Sequence, residues 1–319
     1  MVLCSRDLNL RNLKMGRKKY FDEELMKILD VDKKILDRFK EIQKATIEEA
    51  KNLDEKWMKR KKIKVLGISG SARDENDMAQ ESSNSEEMLK VCLDECKKLG
   101  AETELLSLRK YDIKYCKACY STCNTQCHFY CSCYPKGKEG DDMTNILYDK
   151  ILGADAIIFA TPVNDMSVST LMKTFIDRCI SLDGSLMPAN PQVPKDKELN
   201  RKHMKFIELM ADNDVWGSGM LKRFMGKVAG IITTGHEEGA SMAISQLFMT
   251  LNHWGMIFPP ISSTYANSSI CNSTYEDKPL VVNECHKKLV RELAENVFIM
   301  TKMAKGIKIS KWKYEYEEN

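Results

Sequence analysis

Cysteine residues are concentrated in one short stretch of this chain. Six of the twelve cysteines in the 319-residue sequence fall within eighteen residues. They are Cys116, Cys119, Cys123, Cys127, Cys131 and Cys133. Thiolates at this density serve as a disulfide framework, a structural zinc site or an iron–sulfur cluster. Strand-like and helix-like sequence flanks the stretch on both sides, so we expect residues 115–140 to form a loop that presents sulfur.

The overall composition makes disulfides the least expected of these three. Residues 1–20 are polar and basic, without the apolar run of a secretory signal, and no stretch approaches a membrane span. We therefore expect a cytoplasmic protein, in which thiols stay reduced. The formal net charge is only +3, so there is no global basic field. Neither nucleic acid nor a membrane is an expected partner.

Residues 1–60 form a first compositional block, which we interpret as an N-terminal helical extension. Between Phe21 and Trp57, apolar residues recur at intervals of three and four, with no interior Gly or Pro. This is the pattern of one or two amphipathic helices. Such helices have too little apolar surface to fold alone. We expect them to pack on the core of the protein or on another subunit.

The block at 61–305 alternates short apolar strands with helices, and a polar tail follows at 306–319. Strands are predicted at 63–68, 101–108, 154–160, 228–234 and 256–258. Helices are predicted at 86–99, 141–152, 169–180, 240–251 and 279–304. Near-continuous apolar strands separated by helices indicate a parallel sheet covered on both faces. We predict an α/β fold, a doubly wound sheet of five parallel strands, with its ligand at the carboxyl ends of the strands.

The turn after the first predicted strand is a candidate anion site. It contains Ser69, Ser71 and Arg73, and the next helix begins near Asn84 and Ser85. Hydroxyl groups, a guanidinium and the unpaired N–H groups of a helix N-terminus are groups that bind phosphate. The N-terminus of an ordinary capped helix has similar residues, so these residues alone do not identify a phosphate site.

Five motifs in order along the chain resemble the NADPH-dependent FMN reductase family of flavodoxin-like proteins. They are Ser69–Arg73, Asp141–Met143, Ala154–Ile158, Thr161–Val163 and Lys173–Arg178. The cysteine run just before the second motif is similar to that of the iron–sulfur flavoproteins within this family. The resemblance covers residues 61–260 and implies a flavodoxin-like fold.

The resemblance implies FMN as a cofactor and indicates the residues that bind it. Its phosphate would be held by Ser69, Ser71, Arg73, Asn84 and Ser85. Its isoalloxazine would lie along Pro162, Val163, Asn164, Asp165, Met166 and Ser167, and along a third loop with Thr234, Gly235, His236 and Gly239. Asn164 departs from the aromatic residue usual in the family, and an insertion lies between Arg73 and Ser83. We interpret His236 as a polar loop residue, with a hydrogen bond to the flavin edge as the alternative.

The resemblance also favours a [4Fe–4S] cluster on the cysteine run. The iron–sulfur flavoproteins have a compact Cys-x2-Cys-x2-Cys-x4–7-Cys run, of which only the opening pair keeps its spacing here. Cys116, Cys119 and Cys123 are the first predicted ligands, and Cys127, Cys131 or Cys133 would be the fourth. Zinc is the alternative, because four thiolates also satisfy a tetrahedral zinc site. His128 is interpreted as a neighbour of the ligands, with a role as a ligand as the alternative.

These cofactors imply an oxidoreductase that moves electrons between a flavin and a one-electron partner such as ferredoxin. We assign no catalytic side chain, because the cofactors carry the chemistry. One alternative is an NAD(P)H-dependent FMN or quinone reductase whose cysteine loop is zinc-bound or structural. Another is a non-enzymatic assembly subunit with a zinc-stapled loop.

Subunit assembly is a further expectation from the resemblance, which implies a homo-oligomer, either a dimer or a tetramer. Residues 182–226 are a long polar insertion between the third and fourth strand units. Long ordered insertions at the ligand edge of a sheet are often lids or subunit contacts. Trp216 in this insertion would cover a flavin or fill an interface.

Overall fold

The computed structural model describes residues 20–76, 78, 80–119, 127–212, 214–235, 239–267 and 277–312. The α-helices in these ranges are α1 (Asp22–Leu29), α2 (Lys33–Lys59), α3 (Asn84–Lys98), α4 (Tyr148–Gly153), α5 (Thr170–Cys179), α6 (Lys197–Met210), α7 (Ala240–His253), α8 (Asp277–Val281) and α9 (Glu284–Ala304), and a π-helical turn (Met143–Leu147) precedes α4. The strands are β1 (Lys64–Ser69), β2 (Glu102–Ser107), β3 (Ala156–Asn164), β4 (Ser167–Val168), β5 (Asp183–Ser185), β6 (Leu221–Lys222), β7 (Val228–Gly235) and β8 (Ser263–Asn267).

Five parallel strands form the central sheet in the order β2–β1–β3–β7–β8. The order reverses at β1, which pairs with β2 on one side and with β3 on the other. The short strand β4 runs antiparallel to the end of β3. This is the strand order of flavodoxin-like folds, in which ligands bind at the switch point. The predicted doubly wound sheet of five parallel strands is confirmed.

Successive residues of the strands point to two apolar cores, one on each face of the sheet. In β3, Ile157 and Phe159 belong to the core under α4, α5 and α7, whereas Ile158 belongs to the core under α3 and α9. The same alternation separates Leu66 from Val65 in β1. Side chains of a strand alternate between faces, so a sheet with helices on both sides requires apolar residues at every position.

The N-terminal helices α1 and α2 share a third core with the insertion at 182–226. Leu25, Leu36 and Phe39 pack there against Leu186 and Phe206. The ring of Phe39 stacks on His203 of α6 with 4.7 Å between centroids. The C-terminal part of α2 also reaches the main core. Of the two packings expected for these helices, the structure shows the one on the protein's own core, and the insertion supplies much of the surface that they cover.

Trp216 lies against the N-terminal helices. It is buried and belongs to the same core as Ala50 and Trp57 of α2. The next residue, Gly217, approaches α2 so closely that a Cβ atom on it would lie 2.7 Å from the Thr46 carbonyl oxygen. Trp216 thus fills an interface within the chain, between the insertion and α2.

Two predicted elements are wrong in their positions. The fifth strand is β8 and not 256–258, where Ile257 makes only an isolated bridge with Val228. Pro259 and Pro260 follow and have no N–H group to donate to a ladder. The edge strand β8 contains mostly polar and small residues, so an apolar-run criterion misses it.

The predicted helix at 279–304 is in fact two helices, α8 and α9. Asn283 separates them and caps α9, since its side chain accepts a hydrogen bond from the backbone N–H of His286 at 2.9 Å. Asparagine is among the residues preferred at this position. In the part of the chain that the structure describes, no helix has both the length and the apolar character needed to cross a membrane.

Candidate functional site

A cavity of about 270 Å³ opens at the carboxyl edge of the sheet, at the switch point between β1 and β3. Its walls come from the segments that follow β1, β3 and β7 and from the start of α3. The lining residues are Ser71, Ala72, Arg73, Ser83, Asn84, Ser85, Pro162, Val163, Asn164, Thr234 and Gly235. Parallel pairing brings these distant segments to one edge. The structure thus unites most of the predicted FMN-binding residues around one cavity, which we call the switch-point cavity.

Serine hydroxyl groups cluster in the switch-point cavity at the N-terminus of α3. Ser83 caps the helix, and its Oγ accepts a hydrogen bond from the Glu86 backbone N–H at 3.2 Å. The hydroxyls of Ser83 and Ser85 lie 3.1 Å apart. Ser71 Oγ accepts from the Arg73 backbone N–H at 3.2 Å. These hydroxyls surround the positive end of a helix, where anions are stabilised.

Ser69, at the end of β1, has an orphaned polar atom close to this region in sequence. It is fully buried, and its Oγ has no hydrogen-bond partner among the described residues. A buried hydroxyl without a partner is unfavourable. Ser69 is not among the residues that line the switch-point cavity, so its role in holding the phosphate stays a prediction.

Glu86 is an acidic residue in the first turn of the same helix, but its charge is compensated internally. Its carboxylate accepts hydrogen bonds from Ser107 Oγ and Arg109 Nη1, both at 2.5 Å. Burial by itself raises the pKa of Glu86, but Arg109 and Ser107 outweigh burial and bring the pKa to about 2. Arg109 also contacts Asp74 at 3.1 Å. Together these bonds fix α3 to the segment after β1.

A tight hairpin turn follows Asn164, which lines the switch-point cavity at the end of β3. Asp165 and Met166 connect β3 to β4 with φ angles of 46° and 62°. Two successive left-handed residues are typical of a type I′ turn. A Cβ atom on Gly239 would lie 2.4 Å from Met166 Cα, so only glycine allows the start of α7 to approach this turn.

Three predicted ring-contacting residues lie in this hairpin and not among the lining residues. Asp165 and Met166 form the turn, and Ser167 begins β4 and donates a hydrogen bond from Oγ to Gln246 Oε1 at 2.9 Å. The predicted His236 lies outside the described residues. Its role stays a prediction.

The end of β1 is held against β3 and α5 by backbone contacts. The Gly70 N–H donates to the Ala160 carbonyl oxygen at 2.8 Å, and Ser169 Oγ donates to the Gly70 carbonyl oxygen at 2.5 Å. A Cβ atom on Gly70 would lie 2.7 Å from Met172 Cβ. This wall of the cavity therefore depends on close approach of the backbone.

A second, much smaller cavity of about 10 Å³ collects the described cysteines of the cysteine run. Its lining contains Cys116, Cys119, Cys127, Cys131 and Cys133. We call it the cysteine cavity. Cys123 lies outside the described residues. The structure therefore brings together five of the six predicted ligands.

The thiols in the cysteine cavity contact one another. Cys119 is hydrogen-bonded to Cys127 and to Cys133, and Cys131 is hydrogen-bonded to Cys133. The contact with Cys127 is the main reason that the pKa of Cys119 rises to about 11. Within the described ranges, no three metal-binding side chains already surround a common point as ligands would. The sulfur donors of the cysteine cavity therefore suit a metal ion or a cluster, whereas its open volume does not.

The insertion at 182–226 holds the cysteine loop in place. Backbone hydrogen bonds join Phe129 N–H to the Leu186 carbonyl oxygen at 3.0 Å and Leu186 N–H to the Cys127 carbonyl oxygen at 3.4 Å. The Ser181 hydroxyl donates to the His128 carbonyl oxygen at 2.5 Å. These bonds tie the loop to the segment that begins at the end of α5.

His128 adds side-chain contacts to the same connection. Its ring contacts Ser132 Oγ at 2.8 Å and is hydrogen-bonded to Asn200 of α6. Burial lowers the pKa of His128 to about 4, so the ring is neutral at pH 7. The imidazole thus links the cysteine loop to the insertion.

Arg223 connects this loop to the N-terminal helices. Its guanidinium lies 4.1 Å from the centroid of the Phe129 ring and donates to Ser185 Oγ at 2.9 Å. The same group binds Glu49 of α2 through two bonds, of 2.7 Å and 2.9 Å. The side chain of Arg223 is almost fully buried. A continuous set of contacts therefore runs from α2 to the cysteine loop.

Several residues of the two cavities were not singled out from the sequence. Ser83 has a recognisable signal, because Ser83 and Glu86 have the spacing of a capping box. Arg178 lines the cysteine cavity and ends the Lys173–Arg178 motif, but that motif indicates no contact with cysteine. No local pattern predicts that a helix residue lies beside a loop more than forty positions earlier.

Comparison with known proteins gives a family match over most of the sheet. Residues 63–269, more than half of the chain, match the model of a family described as NADPH-dependent FMN reductase.

Three archaeal proteins named iron–sulfur flavoprotein are similar to part of the chain. One from Archaeoglobus fulgidus is 33% identical over 116 residues, which are 36% of this chain and 48% of that protein. One from Methanocaldococcus jannaschii is 31% identical over 135 residues, 41% of this chain and 56% of that protein. One from Methanosarcina thermophila is 32% identical over 120 residues, 38% of this chain and 54% of that protein. The chain thus spans about half the length of these relatives.

A solved structure shares the fold. It is the crystal structure of RosB with the bound intermediate 8-demethyl-8-formylriboflavin-5′-phosphate. The TM-score is 0.54, with 18% sequence identity over 76% of this chain and 79% of that chain. At this identity the similarity supports the flavodoxin-like architecture alone.

Proposed function

Because the chain belongs to the NADPH-dependent FMN reductase family, we propose that it is an FMN- and [4Fe–4S]-dependent oxidoreductase. It would move electrons between a flavin and a one-electron partner, such as a ferredoxin. One observation carries the proposal: the same chain has a hydroxyl-rich cavity at the switch point and a second cavity lined by five cysteines. The similarity to three iron–sulfur flavoproteins supports this combination.

The start of α3 supports the proposed phosphate site. Ser71, Ser83 and Ser85 would donate hydrogen bonds to the FMN phosphate beside the positive end of the helix. Arg73 lines the same cavity and would add a positive charge, since its own partner, Glu81, is 3.7 Å away at the surface. Glu86 would not repel the phosphate strongly, because Arg109 compensates its charge.

The ends of β3 and β7 support the proposed ring site. Pro162, Val163 and Asn164 and, across the cavity, Thr234 and Gly235 would form the walls along the isoalloxazine. The hairpin turn at Asp165 and Met166 would close the far end. In this proposal the backbone supplies most of the polar contacts to the isoalloxazine. The strand ends are held rigidly, because Pro162 pairs in register with Thr234.

The cysteine cavity supports the proposed cluster through its number of donors. Five described thiols line it, one more than a [4Fe–4S] cluster needs, and Cys123 would be a sixth. When bound, FMN exchanges electrons in pairs or singly and an iron–sulfur cluster exchanges them singly, which is the chemistry of a two-electron to one-electron junction. The protein's own residues would bind, orient and shield these groups, and none need act as a nucleophile.

We also propose that the chain forms a homo-oligomer, a dimer or a tetramer. Helix α7, which starts beside the hairpin turn, exposes Met242, Phe248 and Met249. Exposed apolar groups on one helix are typical of a contact surface. Sedimentation equilibrium of Met249→Lys protein should show dissociation, whereas Met303→Lys on α9 should leave the assembly unchanged.

A zinc-bound loop is the second candidate, with the chain acting as an NAD(P)H-dependent FMN or quinone reductase. The volume between the thiols, about 10 Å³, suits a single ion better than a four-iron cluster. Four thiolates satisfy tetrahedral zinc. In that case the cysteine loop would be structural and the switch-point cavity alone would be active.

Metal and flavin analysis of protein purified without oxygen separates the two candidates. We expect one FMN and about four iron atoms with acid-labile sulfide per chain, and broad absorbance that bleaches on reduction. Zinc without iron would support the second candidate and contradict the first. Turnover with reduced ferredoxin or with NAD(P)H would then identify the electron donor.

A further inference from the structure

Arg178 is a buried cation in the wall of the cysteine cavity. Its side chain is almost fully buried, and it lines the cavity with the five cysteines. Asp141 binds both terminal nitrogens: Nη1 donates to Oδ1 at 2.6 Å and Nη2 donates to Oδ2 at 2.8 Å. Nη1 also donates to the Lys114 carbonyl oxygen at 2.9 Å, and Nη2 donates to Thr144 Oγ1 at 3.0 Å. The guanidinium is therefore held rigidly at its Nη end.

The other edge of the guanidinium has no such partner. The Nε atom is buried and makes no hydrogen bond within the part of the chain that the structure describes. A buried N–H group without an acceptor is unfavourable. An arginine fixed so completely at one end, with its remaining donor unpaired beside a set of sulfur atoms, fits a role toward what those sulfur atoms bind.

The electrostatic surroundings agree with this role. The positive charge of Arg178 lies in the same cavity wall as the sulfur atoms of Cys131 and Cys133, and the other charged lining residues, Lys117 and Asp177, have opposite signs. The ring of Tyr134 covers the guanidinium at 4.5 Å from its centroid, which helps to keep water away. A charge in a poorly solvated place acts more strongly on its neighbours than the same charge in water.

We propose that the Nε–H edge of Arg178 faces the sulfur atoms of the cluster and raises its reduction potential, with Asp141 as the residue that positions it. This inference rests on the proposed [4Fe–4S] cluster. Reduction adds one negative charge to the cluster, and a nearby cation or hydrogen-bond donor stabilises the reduced form. The carboxylate of Asp141 opposes this effect, since it lies at the Nη end with the opposite charge.

Because Arg178 and Asp141 have opposite charges, their replacement should shift the midpoint potential in opposite directions. A purely structural role would not produce this result. Arg178→Gln should shift the cluster midpoint potential to more negative values, and Asp141→Asn should shift it to more positive values. Arg178→Lys keeps the charge but not the Nε–H group, so its shift should be negative and smaller. Lys302→Gln removes an exposed positive charge from α9, which contributes no residue to the lining of the cysteine cavity, and should leave the potential unchanged.

The measurement is an anaerobic redox titration of the purified holoprotein, followed by electron paramagnetic resonance, with thermal unfolding recorded in parallel. Shifts of the same sign in Arg178→Gln and Asp141→Asn, or no shift in either, would overturn the inference. Loss of the cluster from every variant, including Arg178→Lys, would assign the pair a structural role and overturn it too. A wild-type protein without iron would instead overturn the proposed function, and this inference with it.

Discussion

The two cavities of this protein are built in different ways. The switch-point cavity is formed by the ends of paired strands, such as Ser69 opposite Ala160 and Pro162 opposite Thr234, so the register of the sheet sets its geometry. The cysteine cavity is formed mainly by loop residues, with Asp177 and Arg178 of α5 in its wall. Side-chain bonds from other parts of the chain position it, chiefly Arg178 with Asp141 and Arg223 with Glu49.

This difference indicates how each cavity should respond to mutation. A cavity made by backbone register tolerates many side-chain changes but not a loss of close backbone contact. A cavity held by buried charges is sensitive to the removal of one partner, which leaves the other uncompensated. The N-terminal helices reach the cysteine loop through Glu49 and Arg223, whereas the described lining of the switch-point cavity contains no residue of α2. We therefore expect the extension to support the cysteine cavity selectively.

The largest expected effect is the loss of iron when three cysteines are replaced together. The triple variant Cys119→Ser, Cys131→Ser and Cys133→Ser keeps three of the six cysteines in the run, fewer than the four that a [4Fe–4S] cluster uses. Iron content should fall to near zero, while FMN content stays within about a fifth of wild type. Cys285→Ser, at an exposed position on α9, is the control and should lose neither. Equal loss of flavin would show that the two cavities are not independent.

The next largest effect should follow from Glu49→Ala. The change leaves the buried Arg223 without its bidentate partner, and breaking such a pair costs about 3 kcal/mol. We expect iron to be released to a chelator at least several-fold faster, with FMN affinity unchanged. Glu48→Ala removes an exposed neighbouring carboxylate and should behave as wild type. Faster flavin release without faster iron release would contradict the selective role of α2.

Glu86→Gln should lower the stability of the folded protein and change how that stability depends on pH. The pKa of Glu86 lies at about 2, below its ordinary value of 4.5, so the ionised carboxylate stabilises the folded state above about pH 4.5. That contribution is lost as pH falls from 4.5 toward 2. The variant should be less stable by about 2 kcal/mol at pH 7 and should show a smaller change between pH 5 and pH 2.

Urea unfolding at several pH values measures this contribution. Asp94→Asn on the exposed side of α3 is the matched control. A variant that kept the full pH dependence of the wild type would show that another carboxylate is responsible.

The smallest expected effect is that of Gly239→Ala. The added Cβ would lie 2.4 Å from Met166 Cα, so the hairpin turn or the start of α7 must move. Strain of about 1–2 kcal/mol corresponds to a roughly tenfold weaker binding of FMN. Iron content should not change. Gly153→Ala, where a Cβ meets nothing within 4 Å, is the control, and an unchanged FMN dissociation constant in Gly239→Ala would show that the turn does not border the flavin.

Much of the fold follows from local patterns in the sequence. The alternation of apolar strands and helices predicted the parallel sheet, because a strand covered on both faces must be apolar at every position. The first four strands lie within a few residues of their predicted bounds. The edge strand β8 was missed because only one face of it is buried, and the break before α9 was missed although Asn283 is a recognisable cap.

The sequence alone determined which chemical groups this protein has: the dense cysteine run and the serine-rich turns. The chemistry of these groups depends on residue type and on short spacings, and both can be read from neighbouring positions in the sequence. Only the tertiary structure decided which of these groups share a cavity. The placement of Arg178 beside the cysteines, and the path from α2 through Arg223 to the cysteine loop, depend on packing between segments far apart in the chain, and no local pattern records such contacts.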